Sequence, residues 1–307
     1  MLVYISRRLA TALPTLFIIV TVSFFLIRLA PGGPFSLEKP LEAQVMENLA
    51  RIYKLDRPLY EQYLLYLGAL LRGDLGPSFY HRDFTVAELL GRGLPVSMLL
   101  GGLALVFALV VGLALGTLAA LRQNQRTDYA VTGIATLGLT VPTFVTAPLA
   151  QIVFGLWLSW LPVAGWGDGA VRNLVLPVLV LALPQIAVIA RLTRAAMIET
   201  LRANHIRTLH ALGLPQRVVL TRALRSACLP VVSYLGPAAA GLLTGSVVVE
   251  TIFGLPGVGR YFVEAALNRD YTLVMGTVVL VAVFVIVFNL AVDIAYAVLD
   301  PRVRGAP

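Results

Sequence analysis

The chain has 307 residues, of which 58% are hydrophobic and 13% are charged, and its mean hydropathy is +0.85. Soluble domains carry about 45–50% apolar and about 25% charged residues, so this composition excludes a water-soluble globule and indicates an integral membrane protein. The formal charge of +8 does not indicate a nucleic-acid partner, because the basic residues collect in a few loops without interleaved aromatic residues.

The first predicted element is an uncleaved membrane helix at the N-terminus. Arg7 and Arg8 precede an apolar stretch that reaches Ala30. A secretory signal has an apolar region of about 7–15 residues and ends in small residues, whereas this stretch is longer and has no A-x-A-like site. We therefore expect residues 1–30 to form the first transmembrane helix.

Residues 31–95 are polar and mixed in charge, and we predict that they lie outside the membrane. Within this segment, apolar residues recur at helical spacing between Leu59 and Leu71, which indicates an amphipathic helix. This pattern favours packing against the rim of the bundle over direct contact with a substrate.

Five further apolar segments bring the number of predicted spans to six, so the expected fold is all-α. These segments cover residues 96–121, 129–161, 174–192, 229–249 and 273–299. The segment at 129–161 is long for one crossing, and Pro142 with Pro148 predicts that it is kinked or only partly inserted.

The distribution of Lys and Arg predicts the orientation of the six spans. With the N-terminus in the cytoplasm, the loops and tail on that side contain thirteen basic and three acidic residues, whereas the other side is nearly balanced. This positive-inside asymmetry predicts that both termini are cytoplasmic. The predicted organisation is a first helix at 1–30, an extracytoplasmic segment at 31–95, a five-helix core at 96–300 with a cytoplasmic loop at 191–228, and a cytoplasmic tail at 301–307.

The sequence has no pattern typical of a catalytic, cofactor-binding or metal-binding site. No segment matches the phosphate-binding pattern G-x-x-x-x-G-K-[ST]. His81, His205 and His210 fall on opposite membrane sides or on different helix faces, so we expect no metal site. Asp293 is the only acid well inside the last span, and we expect it to reach the interface or to bond to a neighbouring helix. An enzyme is therefore not expected; the alternative of a stand-alone proton-coupled carrier would call for a chain of ionisable partners.

The predicted cytoplasmic loop at 191–228 carries seven arginines and one glutamate and is too long for a simple connector. A mostly apolar helix face is predicted from Ile198, Leu201, His205, Leu209 and Leu212. Gly213 suits the position just after a helix, and Pro215 prevents continuation. We predict a short helix, a sharp break and a second helix from Gln216, before Pro230 opens the fifth span. The apolar face either lies flat in the headgroup layer or occupies a groove of a partner protein.

Several motifs in one order give a resemblance to a known family. The segment from Arg207 to Leu214, followed by Leu229 and Pro230, resembles the signature loop of binding-protein-dependent ABC importer permeases. Further matching segments are Arg7-Arg8, Arg28 to Gly32, Gly73 to Ser78, Glu250 to Gly257, Leu267 to Tyr271 and Asp300 to Arg302. Together they resemble the peptide branch of the family, the oligopeptide permease B subunits.

Two features separate this chain from other branches of that family. The segment 207–209 reads Arg-Thr-Leu where the wider family has Glu-Ala-Ala and the peptide branch usually has Arg-Thr-Ala. The spacing from Gly213 to Pro230 exceeds that of the sugar importers. Both features argue against a sugar as the substrate and do not affect the prediction that the protein is a transporter.

The resemblance implies a type I ABC importer permease fold and a multi-pass subunit of the bacterial inner membrane. The implied partners are a homologous second permease, ABC ATPase subunits, an extracytoplasmic peptide-binding protein and membrane lipid, without nucleic acid. The ATPase subunits would use ATP and Mg, and this chain would bind no cofactor. The implied substrate is a short peptide or a peptide-like compound, although nickel complexes or glutathione are alternatives. The residues that line the substrate path are not indicated.

The resemblance also implies that the short loop helix is a coupling helix seated in an ATPase subunit. Its residues would be Ala203, Arg207, Thr208, Leu209, Ala211, Leu212, Gly213 and Leu214. ATP-driven approach of the ATPases would then move this helix and tip the bundle between inward- and outward-facing states.

Overall fold

The computed structural model describes residues 2–29, 54–81 and 83–299. In chain order its helices are α1 (Leu2–Leu29), α2 (Leu59–Leu71), α3 (Val86–Leu121), α4 (Arg126–Thr140), α5 (Thr143–Ala150, continued by the π-helical turn Gln151–Trp157), α6 (Val171–Arg202), α7 (Asn204–Ala211), α8 (Gln216–Phe253), α9 (Val258–Leu267) and α10 (Tyr271–Leu299). Within the described ranges the only β structure is an isolated bridge between Pro77 and Thr85. The predicted all-α fold is confirmed for this part of the chain, and the predicted tail at 301–307 lies outside it.

Five of the described helices are long and apolar enough to cross a bilayer. They are α1, α3, α6, α8 and α10. The pair α4–α5 supplies a sixth crossing if the two bent helices are counted as one span. The six-span prediction therefore depends on this pair.

The long helices lead back and forth between two ends of one bundle. At the arginine-rich end, which comprises the α3–α4 loop (122–125), α7 and the start of α8, Arg202 donates to the side chain of Gln123 at 3.1 Å. At the opposite end, which comprises the loops 72–85, 158–170 and 254–270, the amide of Gly165 donates to the carbonyl of Phe253 at 2.8 Å.

The last helix is tied to the first by an ion pair. Near the end of α10, Asp293 lies 3.0 Å from Arg8 near the start of α1. This contact confirms the prediction that Asp293 bonds to a neighbouring helix. The start of α1 thus lies beside the end of α10, so the two helices run antiparallel.

A row of small residues lets α3 lie directly against α6, which is the most extensive helix contact in the described chain. The row consists of the buried residues Ala104, Ala108, Gly112, Gly116 and Ala120. A Cβ atom on Gly116 would lie 2.5 Å from the carbonyl oxygen of Ala190. Small residues at four-residue spacing allow membrane helices to approach until their backbones touch.

The helices α3 and α8 extend well beyond their apolar runs. α3 begins at Val86, ten residues before the apolar segment, because Thr85 and Glu88 form a capping box in which each side chain accepts the other's backbone N–H. α8 runs unbroken from Gln216 to Phe253, so the prediction that Pro230 opens a separate span was wrong. Membrane helices tolerate internal proline when neighbouring helices and side chains satisfy the freed backbone groups.

The amphipathic helix α2 lies against the outer face of α1. Its inner face is formed by Tyr63, Tyr66, Leu67 and Leu70, which pack on Val20 and Phe24. The ring centroids of Tyr63 and Phe24 are 5.3 Å apart. Burial in this contact raises the pKa of Tyr66 to about 12. The predicted packing against the bundle rim is confirmed.

Candidate functional site

The short helix α7 joins α6 to α8 at the arginine-rich end. It spans Asn204–Ala211, with Ala203 at its N-cap position. Gly213 follows with a φ of +72°, the left-handed conformation expected just after a helix. The amide of Gly213 donates to the carbonyl of His210 at 3.0 Å, and that of Leu214 donates to Leu209 at 3.3 Å. The predicted short helix and its termination at Gly213 are present.

The apolar face of α7 is covered by the chain itself, which corrects the predicted open stripe. Ile206 is fully buried and Leu209 is partly buried in a cluster with residues of α3, α6 and α8. Ile198 and Leu201 belong to α6, because the helix breaks at Ala203, and they do not continue a face of α7. The prediction that Leu209 lies on an open face was therefore wrong. The three-residue spacing of Ile206 and Leu209 was the signal for this inner face.

The open side of α7 and of the turn after it combines Arg207, polar residues and several small or apolar residues. Of its exposed residues, we call Arg207, Thr208, His210, Ala211, Leu212, Gly213 and Leu214 the α7 surface. Leu212 is 69% exposed and is the largest apolar contribution to it. Of the predicted coupling residues, only Ala203 and Leu209 are partly buried on the inner side. The chain thus presents a compact surface outside the apolar spans.

A buried ion pair fixes the start of α4 to α6. Asp128 is 2% exposed and accepts two hydrogen bonds from Arg194, at 2.5 Å from Nε and 2.7 Å from Nη2. The amide of Asn124 donates to the same carboxylate at 2.9 Å. Together with the bond from Arg202 to Gln123, this attaches the α3–α4 loop to α6 at two points. A bidentate arginine–carboxylate contact fixes geometry as well as charge.

At the opposite end, Glu250 joins three helices through one buried carboxylate. Ser97 of α3 donates its hydroxyl proton to Oε1 at 2.6 Å. The amides of Gly259 and Arg260, in the first turn of α9, donate to Oε2 at 2.8 and 3.3 Å. A helix N-terminus favours a negative charge because its first amides lack partners within the helix. The segment Glu250 to Gly257 therefore has a structural part in holding α3, α8 and α9 together.

Asp270 makes a similar junction between the loop 72–85 and the start of α10. Its fully buried carboxylate accepts bonds from the hydroxyl of Ser78 at 2.5 Å and the amide of Tyr80 at 3.1 Å. The amide of Leu273 donates to the other oxygen at 3.0 Å. Two segments that carried the family resemblance, Gly73 to Ser78 and Leu267 to Tyr271, thus meet in space.

The segment between α3 and α6 is broken at Pro142, as predicted, whereas Pro148 lies within α5. The axes of α4 and of the following helix are bent by 103° at Val141 and Pro142. Beyond the break, Gln151 donates its side-chain amide to the carbonyls of Val163 at 2.8 Å and Ile252 at 3.1 Å. These bonds hold the far part of the segment at the opposite end of the bundle.

The histidines do not come together. His81 lies 3.8 Å from Glu264, whereas His205 and His210 are exposed on α7. Within the ranges that the structure describes, no group of three or more metal-ligating side chains forms.

Comparison with known proteins places these features in a family. Residues 112–305 match the family described as binding-protein-dependent transport system inner membrane component, and residues 1–95 match its N-terminal region. The chain belongs to this family and is a multi-pass protein of the inner membrane.

Full-length relatives confirm the resemblance to the peptide branch. The chain is 50% identical to the oligopeptide transport system permease protein OppB of Haemophilus influenzae, over 99% of this chain and 100% of the relative. OppB of Escherichia coli K12 has the same identity and coverage. The dipeptide transport system permease protein DppB of Bacillus subtilis is 42% identical, over 98% of this chain and 97% of the relative.

A solved structure supports the fold. A chain of an amino acid ABC transporter with histidines superposes with a TM-score of 0.51 at 17% identity, over 70% of this chain and 94% of that chain. The ABC permease fold expected from the motifs is confirmed at this level.

Proposed function

We propose that this chain is the channel-forming permease subunit of an ATP-driven ABC importer that moves short peptides across the bacterial inner membrane. The observation that carries this proposal is the 50% identity to OppB over nearly the full length of both chains. The substrates are oligopeptides, dipeptides or peptide-like compounds, delivered by an extracytoplasmic binding protein.

The energy comes from partner subunits. The chain contains no phosphate-binding loop, so ATP and Mg are used by separate ABC ATPase subunits, and this chain binds no cofactor and catalyses no covalent reaction. A homologous second permease completes the channel. Both termini are cytoplasmic and α4–α5 completes six spans, a topology supported by the excess of arginine at the α7 end.

The helix α7 couples this chain to an ATPase subunit. It is held at one end by α6 and at the other by α8, and Ile206 anchors its inner face. A capped helix attached on both sides moves as a body, whereas a flexible loop would not transmit force. Since Leu209 is partly buried by its own chain, the contact to the ATPase is made by the α7 surface, with Leu212 at its most exposed apolar point.

Replacement of Leu212 by Asp tests this coupling role. The charge disrupts an apolar contact without touching the inner cluster, so ATP hydrolysis stimulated by the binding protein and peptide uptake should both fall at least about tenfold, which corresponds to about 1.4 kcal/mol of lost contact. Both rates are measured on the purified complex in lipid vesicles. The control is Thr221→Asp, an exposed position on α8.

The alternative is that α7 rests in the headgroup layer. A Leu212→Asp complex that assembles fully and hydrolyses ATP at the normal stimulated rate would contradict the coupling role. Peptide uptake by the chain alone, driven by a pH gradient without nucleotide, would instead support a proton-coupled carrier.

A further inference from the structure

We propose that a stripe of hydroxyl side chains on α4, which leads to the break before α5, lines the path of the peptide and accepts hydrogen bonds from its backbone. The stripe consists of Thr132, Thr136 and Thr140, with Tyr129 beside it. This inference rests on the proposed function and adds the substrate-contacting residues that the sequence motifs do not indicate.

The helix α4 has three faces of different chemistry. One face packs on α6 through the buried residues Asp128 and Ala135. A second face is apolar and open, and Ile134 on it is 67% exposed, as expected of a side chain in contact with lipid. Thr136 and Thr140 are exposed on the third face, with the exposed Leu139 at its edge, and Thr136 is about 160° around the helix from Ile134 at about 100° per residue. Two open faces with unlike chemistry indicate two unlike surroundings.

The break at the end of the stripe is a second argument against lipid as its surroundings. Thr140 and Pro142 are both exposed there. The 15 residues of α4 rise about 22 Å from its start at the arginine-rich end, which places the break within a hydrocarbon layer of about 30 Å. Irregular backbone at this depth is tolerated only when it is buried in protein or lines a water-filled cavity. Discontinuous helices at membrane depth are a recurring element of transporter substrate sites.

The hydroxyl groups of the stripe are arranged to accept hydrogen bonds. Thr136 and Thr140 each donate to the carbonyl four residues earlier, at 2.8 Å, so their protons are used within the helix while oxygen lone pairs remain available. Hydroxyls four residues apart are separated by about 6 Å along the helix, and alternate residues of an extended peptide by about 6.6 Å. The spacing of the hydroxyls therefore matches that of the N–H groups on alternate residues of an extended peptide.

The absence of charge on the stripe determines what it can discriminate. Its three threonines and the neighbouring Tyr129 are uncharged. Acceptors for backbone N–H groups bind peptides of any sequence, so the stripe favours the peptide class without selecting side chains.

Cysteine accessibility in the complete transporter tests the path. The parent carries Cys228→Ala, which removes the only cysteine of this chain, and is assembled with partner subunits made cysteine-free. Thr136→Cys and Thr140→Cys are compared with Ile134→Cys, which lies on the same helix but on the apolar face. A charged, membrane-impermeant thiol reagent is applied during ATP turnover. We expect labelling at 136 and 140 that saturating peptide with its binding protein slows at least about fivefold, and no labelling at 134.

Three results of this experiment would contradict the expectation, each in a different way. Inert cysteines at 136 and 140 in an active transporter, or a labelling rate that peptide does not change, would overturn the path; cross-linking of an inert position 136 to the second permease would identify the stripe as a subunit interface. If the parent complex shows no ATP-dependent peptide uptake, both the proposed function and the peptide path that rests on it are contradicted.

A second measurement uses near-isosteric variants that leave the fold undisturbed. Thr136→Val and Thr140→Val remove the acceptors, and each should raise the KM of uptake about 2- to 10-fold, the value of one net hydrogen bond. Serine at either position should restore the parent KM. The control is Thr15→Val in α1, where the hydroxyl makes the same bond to the carbonyl of Thr11 at 2.8 Å. Unchanged KM values in both stripe variants would contradict the proposal.

Discussion

At the scale of single residues, the described part of the chain buries three acidic side chains: Asp128, Glu250 and Asp270. A buried carboxylate is tolerated when donors surround it, and each of these carboxylates accepts several hydrogen bonds. They form junctions between segments that are far apart in the sequence. Their burial is therefore a property of the assembled fold.

Glu250→Gln should destabilise the opposite end of the bundle. The amide side chain places a donor next to backbone amides of α9, so at least one buried donor loses its acceptor, at a cost of about 1–3 kcal/mol. Thermal unfolding of the purified chain in detergent should show a lower Tm. Glu199→Gln is the control, because Glu199 is exposed on α6. Equal Tm values for the two variants would refute a role for the buried carboxylate.

Arg194→Lys should weaken the link between the α3–α4 loop and α6. Lysine keeps the charge but cannot reproduce the two-bond contact with Asp128. We expect fewer peptides imported per ATP hydrolysed, because the start of α4 then follows the movement of α7 less closely. Arg191→Lys is the matched control, one turn earlier on α6 and exposed. If the two variants have the same ratio of uptake to hydrolysis, the ion pair has no part in coupling.

Local sequence patterns predicted the conformation or environment of some of these residues and not of others. Gly213 was predicted correctly because the left-handed conformation after a helix is a property of a few consecutive residues. The environment of Leu209 was predicted wrongly because it depends on α8, which covers it. The ion pair of Asp128 and Arg194 joins positions 66 residues apart, and no local pattern indicates such a contact.

At the scale of helices, α3 and α6 approach closely because the residues of α3 between them are glycine and alanine. Gly116→Ala should force the two helices apart or strain α3, because the new Cβ atom would lie 2.5 Å from the carbonyl oxygen of Ala190. Overpacking of this kind costs about 1–3 kcal/mol. Gly102→Ala in the same helix is the control, since nothing lies within 4 Å of its added Cβ atom and alanine favours a helix. A Tm for Gly116→Ala equal to that of Gly102→Ala would contradict the close contact.

Proline shows why helix boundaries were predicted only in part. Pro142 breaks its segment, whereas Pro230 and Pro237 lie within α8. The local effect of proline is the same in each case, but α8 packs against α3, α6, α9 and α10, which hold it as one rod. The sequence therefore indicates where a helix can break, and packing decides whether it does.

At the scale of the whole molecule, the functional parts lie at different heights of one bundle. The α7 surface is at the arginine-rich end, the junctions of Glu250 and Asp270 are at the opposite end, and the break of α4–α5 is between them. The bidentate contact of Asp128 with Arg194 ties the start of α4, at the arginine-rich end, to α6. From there α4 leads to the break.

The topology follows from this arrangement and is the last prediction. The loop 158–170 is bonded to the end of α8 through Gly165 and Phe253, so it lies at the end opposite to α7. If arginine places α7 in the cytoplasm, Trp160 must face outward and α4–α5 must cross the membrane. In a Cys228→Ala chain, an impermeant thiol reagent should label Trp160→Cys and Tyr60→Cys in spheroplasts with intact inner membranes, and Leu212→Cys only after permeabilisation. The three parent side chains are 62%, 63% and 69% exposed, so an absence of labelling reflects the membrane and not burial in this chain. Labelling of position 212 from outside, with positions 60 and 160 labelled only from the cytoplasm, would invert the orientation. Labelling of position 160 only from the cytoplasm, with positions 60 and 212 labelled from outside, would make α4–α5 a re-entrant segment and reduce the spans to five.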